Sequence, residues 1–177
     1  MLVAHRLKRL DLPQLLDINE YLETDALIEA KSDLEAVQQW LMRFNNDNTL
    51  RAYSRDAMRF LLWLIFVSGK HIHQLLLDDI HKYITFLQNP TSTWCMHNKK
   101  LSRYDARWRP FSKALSKRSV SAAISALQSL FAFLEEANFI AKNPVRLVKT
   151  SSIIGKKKKK KYNVYSRMLE MDEWQAV

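Results

Sequence analysis

The residues most able to do chemistry in this chain are its histidines and its one cysteine. His71-x-His73, His81 and Cys95-x-His97 offer imidazole and thiol donors, but no pair has the spacing of a zinc finger or a catalytic zinc site. Surface positions near the ends of a helix and a loop account for them, and no metal is expected. Asp78-Asp79 and Glu135-Glu136 are paired carboxylates at helix ends, where capping and solvation explain them without acid–base work. Tyr162 and Tyr165 lie beside a lysine run with no general base nearby, which suits linker anchors better than nucleophiles. No catalytic residue, cofactor or small-molecule ligand is assigned.

What remains is positive charge. The 177 residues hold 28 Lys and Arg against 18 Asp and Glu, a formal net charge of +10. That total hides an uneven distribution: residues 1–35 carry 4 basic and 8 acidic side chains, and residues 36–167 carry 24 basic and 7 acidic. One cluster, Lys99 to Arg118, includes Arg103, Arg107, Arg109, Lys113, Lys117 and Arg118. A second is the unbroken run Lys156 to Lys161, of which Lys156, Lys157 and Lys158 are the leading members. Such an excess repels itself in a compact chain and fits a polyanion whose counterions are released on binding. Nucleic acid is the expected partner. Anionic lipid ranks below it, because neither a lipidation motif nor an amphipathic anchor adjoins the lysines.

The elements that must carry these cations are helices. Only two glycines, Gly69 and Gly155, occur, which excludes phosphate-cradling glycine loops and dinucleotide fingerprints. With a single Cys95, no signal-like N-terminus and no apolar run longer than Leu61–Val67, the chain reads as intracellular, without an internal disulfide or a spanning helix. Ser32-Asp33-Leu34-Glu35 forms a capping box ahead of a first helix over 33–44. The polar break Asn45–Asn48, with Asn48 as cap, opens a second that runs to Ser68 and is stopped by Gly69. A third covers 78–88, ended by Asn89-Pro90. Residues 91–115 lack periodicity and suggest a long functional loop. Ser116 then caps a helix whose Val120, Ile124, Leu127, Phe131 and Leu134 advance as an a/d seam. A short helix is expected over 139–148. The chain divides into an acidic extension (1–31), a helical DNA-binding domain (32–149), a basic linker (150–166) and the opening of a further, truncated domain (167–177).

Two surfaces on these helices suit phosphate. Arg51, Arg55 and Arg59 recur every fourth residue, opposite the Tyr53-Phe60-Leu64 stripe, so three guanidinium groups are expected on one outer face. The helix opening at Ser116 presents Lys117, Arg118 and Ser119 beside free N–H groups and the positive dipole end. Its outer face of small residues, Ser121, Ala122, Ser125, Ser129 and Ala132, would permit close approach.

Two blocks then resemble a known family. Thr49-x-x-x-Tyr53-x-x-Asp56-x-x-x-Phe60-x-x-Trp63, followed by Gly69, Leu75, Asp79-Ile80 and Tyr83, is similar to the opening half of the SAM-like core-binding domain of tyrosine recombinases, the phage integrase family. Leu115–Val120 followed by Ile124, Leu127, Phe131, Phe133-Leu134, Ile140 and Asn143-Pro144 is similar to its closing half, and Trp108-Arg109-Pro110-Phe111 to a subset of bacterial and mobile-element integrases. The resemblance covers about residues 34–149. It implies an all-α, four-to-five-helix orthogonal bundle that forms half of a DNA clamp. The catalytic arginines, lysine, histidines and tyrosine would lie beyond Val177, so the chain as given is expected to be no enzyme. Thr49, Arg51, Arg55, Lys117, Arg118 and Ser119 fall at DNA-facing positions. Ala122 and Gln128 stand where relatives often carry arginine, which shifts base contacts toward the Lys99–Arg109 loop. Other recombinase protomers and a bacterial, nucleoid-associated cytoplasmic setting are implied as well. The competing reading is a helical protein-interaction module with a polybasic targeting or lipid-binding segment.

Overall fold

The computed structural model describes residues 25–96, 105 and 107–154. It is mostly helical, an all-α bundle without a sheet among the described residues. Helix α1 spans Asp33–Leu41, α2 Asp47–Trp63, α3 Leu77–Gln88, α4 Lys117–Glu136 and α5 Thr150–Ile154.

Local sequence explains each boundary. Ser32 caps α1 by accepting the Glu35 N–H at 3.2 Å, and the Glu35 carboxylate reaches back to the Lys31 N–H at 2.8 Å. The helix ends three residues earlier than expected, because Arg43 and Phe44 bond the carbonyls of Trp40 and Leu41 in tight three-residue turns. Phe44 still packs, edge-on to both Trp40 and Tyr53. Asn46, rather than Asn48, caps α2, its Oδ1 accepting the N–H groups of Asn48 at 3.0 Å and Thr49 at 3.1 Å. After Trp63 the helix widens into a π turn, Leu64–Ser68. Gly69 closes that turn in the left-handed region at φ 64°, where a side chain would be strained. Asp79 in the first turn of α3 accepts the Leu76 N–H at 3.0 Å and the Lys70 ammonium at 2.7 Å, the capping role expected of it.

The α4 seam is the spine of the core: Val120, Ile124, Leu127, Phe131 and Leu134 are all buried. Against it lie Trp40 from α1, Phe60 from α2 and Tyr83 from α3. Phe60 meets Tyr83 at 5.2 Å and Phe131 at 5.9 Å, both edge-to-face, the arrangement aromatic quadrupoles prefer. The hydroxyl of Tyr83 is buried and has no hydrogen-bond partner among the described residues, and burial pushes its phenol far above the usual tyrosine range. Tyr83→Phe keeps the ring contacts and removes the orphaned group, so urea denaturation should show a gain of about 1 kcal/mol.

Two expectations fail here. The helix expected over 139–148 is a single 3-10 turn, Pro144–Leu147, because Pro144 cannot continue a helix begun before it. Its apolar residues Phe139, Ile140, Val145 and Val148 are buried nonetheless. Residues 150–154, expected at the start of a linker, are the helix α5 packed on α4. Among its described residues the stretch 91–115 is a loop, as its lack of periodicity predicts, with one 3-10 turn at Ser92–Trp94, and it is tied down at its ends: Met96 donates to the Phe111 carbonyl at 2.7 Å, Phe111 donates to the Trp94 carbonyl at 3.2 Å, and Phe111 is fully buried.

Candidate nucleic-acid interface

At about 100° per residue, Arg55 lies roughly 40° around α2 from Arg51 and Arg59 roughly 80°. That drift separates their fates. Arg51 is exposed and Arg55 half exposed, whereas the Arg59 side chain is 13% exposed. Arg59 Nη1 donates to Asp56 Oδ1 at 3.0 Å, its Nε donates to the Pro110 carbonyl at 3.1 Å, and its guanidinium lies 5.0 Å from the Phe111 ring centroid. Burial lowers its pKa from the usual arginine value, partly offset by Asp56. The expected outer face of three arginines is therefore two, and Arg59 points inward. The same Asp56 oxygen takes Arg55 Nε at 3.3 Å. Thr49 sits in the first turn of α2, its hydroxyl 3.5 Å from the capping Asn46 Oδ1.

Ser116 Oγ accepts the Ser119 N–H at 3.2 Å and lies 2.9 Å from Ser119 Oγ, so these two hydroxyls serve the cap of α4. Lys117, Arg118 and Ser119 are exposed, and the first turn of α4 holds no acidic residue. The first turns of α1, α2 and α3 each hold at least one. Two cations at the positive end of a helix dipole repel it, a disposition that an arriving phosphate relieves. Ser121 does not join the outer face: it is buried, with its carbonyl accepting the Ser125 hydroxyl at 3.0 Å. Ala122 and Ser125 are exposed, and Gln128 turns inward to donate to the Val148 carbonyl at 2.8 Å.

In the intervening segment, Arg107 is exposed but chelated by Asp105, at 3.1 Å from Nε and 3.0 Å from Nη2. The Arg107 hydrogen bonds hold the Asp105 carboxyl at about 2. Arg109 donates to the carbonyls of Thr93 at 3.0 Å and Trp108 at 2.9 Å. Arg103 and Lys156, Lys157 and Lys158 lie outside the described residues. Among the described residues, no carboxylate pairs with Arg51, Lys117 or Arg118.

Sequence reading missed the residues that link these surfaces. Asp56 orients Arg55 and neutralises Arg59, and Pro110 and Phe111 receive the Arg59 side chain; the one signal was an acidic residue set among arginines on α2. Also missed was Arg43, whose guanidinium lies 5.0 Å from the Phe133 ring. His71 serves structure. Asp33 Oδ2 accepts the Ile72 N–H at 3.2 Å and sits 3.3 Å from His71 Nδ1, a hydrogen bond that raises the His71 pKa above 6.5. No helix among the described residues is long and apolar enough to cross a membrane.

No family model and no solved structure matches the chain. It is similar to a tyrosine recombinase of Thermosipho africanus (strain TCF52B), with 28% identity over 125 residues. That alignment covers 71% of this chain and 35% of the relative, so the chain spans about a third of that protein's length. This similarity agrees with the resemblance read from the two motif blocks, and the all-α bundle agrees with the fold class that the resemblance implies.

Proposed function

We propose that this chain is the DNA-gripping, core-binding part of a site-specific tyrosine recombinase, holding one face of a duplex mainly through its phosphates. The catalytic domain would close from the other face. The observation that carries this reading is the cation-only first turn of α4, with Lys117 and Arg118 exposed and unpaired among the described residues. Arg51 and Arg55 extend the surface along α2, and the similarity to a recombinase supplies the biological context. Phosphate contacts of this kind set register and affinity but carry no sequence information. Base readout would fall to the segment that includes Arg103, Arg107 and Arg109, and further contacts to Lys156, Lys157 and Lys158. Other protomers on the same DNA are the expected protein partners.

Titrating a duplex of random sequence into isotopically labelled chain tests the reading directly. Amide shifts should concentrate at residues 49–55 and 116–122. Shifts confined to the exposed apolar side chains Leu27, Met42 and Leu147, or none at all, would favour a protein-interaction module instead.

A further inference from the structure

The Arg59 guanidinium joins two parts of the chain that sequence separates by about fifty residues. Its side chain is largely buried and makes three kinds of contact: the ion pair to Asp56 on its own helix, the hydrogen bond to the Pro110 carbonyl, and the stacking on Phe111. A buried arginine is an expensive way to fill a core, since its desolvation is repaid only by well-made partners. Here the partners lie at one point, where the 107–115 segment comes back to the bundle. On one side of that point is exposed Arg109, and on the other are exposed Lys113 and the start of α4, pinned by the Leu115 N–H to the Leu87 carbonyl at 3.0 Å. On the helix side, Asp56 grips Arg55 through the same oxygen that holds Arg59.

We infer that Arg59 is a positioning residue for the DNA surface: through Pro110 and Phe111 it locks the cations of residues 107–118 against those of α2, so that both meet one duplex in fixed register. The inference rests on the DNA-binding reading above. Arg59 touches no phosphate in this scheme. Its role is to prevent the basic segment from moving independently, which would add an ordering penalty to binding.

Arg59→Lys in the full chain is the first test, because it keeps the charge beside Asp56 but lacks the planar fork that stacks and donates at once. Phe111→Leu is the second, removing the ring face and leaving the Arg59–Asp56 pair. Hydrogen exchange and binding to a labelled random-sequence duplex are read on the same samples. In both variants the amides of Met96 and Phe111 should exchange roughly 10-fold faster or more, while those of Ile124 and Leu127 keep their wild-type rates. Duplex affinity should fall roughly 10-fold, and the salt slope by about one to two contacts. Exchange that rises equally in all helices would overturn the inference in favour of a plain stability role. So would a loosened segment with unchanged affinity and slope, or full wild-type behaviour of both variants. Wild-type chain that ignores DNA would defeat the underlying reading itself, whatever exchange shows at Phe111.

Discussion

Trp40→Ala should lower the unfolding free energy by about 3–5 kcal/mol, among the largest effects of any single truncation in this bundle. Trp40 is fully buried in α1, stacks on Tyr53 at 5.2 Å and meets Phe44 edge-on at 5.3 Å. Its indole Nε1 also donates to Ser129 Oγ on α4 at 3.3 Å. One side chain therefore joins α1, the start of α2 and α4, and its removal leaves a cavity as well as an unpaired hydroxyl. Urea denaturation followed by far-ultraviolet circular dichroism measures the change. A loss below about 1 kcal/mol would mean that α1 does not dock as described.

The double reversal Arg51→Glu with Arg118→Glu should have the opposite profile, with little effect on stability and a large one on binding. Both side chains are exposed, and neither pairs with a carboxylate among the described residues. Stability should therefore stay within about 0.5 kcal/mol of wild type. Each reversal deletes a phosphate contact and adds a repulsion. Affinity for duplex DNA should fall by about 100-fold or more at low salt, and the salt slope should drop by roughly two. Fluorescence anisotropy at a series of salt concentrations reads both. Unchanged affinity would show that these faces do not meet DNA.

Regular features of the fold were legible because one rule acted at each. The α4 seam combines a strict apolar period with a serine cap, and both appear in the structure as the spacing demands. Gly69 was legible because a left-handed residue must end the second helix. Where two rules compete, the sequence misleads. Residues 139–148 are apolar enough for a helix, yet Pro144 limits them to one turn while burial proceeds without it. Thr150–Ile154 read as linker by proximity to the lysines, although Ile153 packs on the core.

The candidate surface was legible only in part, and for a geometric reason. A fourfold repeat of arginines drifts around a helix of 3.6 residues per turn, so the last member leaves the face of the first. Arg59 has drifted far enough to reach Pro110 and Phe111, contacts made across the chain and invisible to helical spacing. Ser121 misled similarly, since a small polar side chain is as much at home in a tight helix contact as on a surface. Lys117 and Arg118 stayed legible because a helix start fixes their exposure locally.

The most direct measurement is the dependence of duplex affinity on salt for the unaltered chain. Contacts from Arg51, Arg55, Lys117 and Arg118 alone set the expected slope of log affinity against log salt at roughly −3 or steeper. A slope near zero, or no binding to a duplex at low salt, would contradict a phosphate-gripping surface on this bundle.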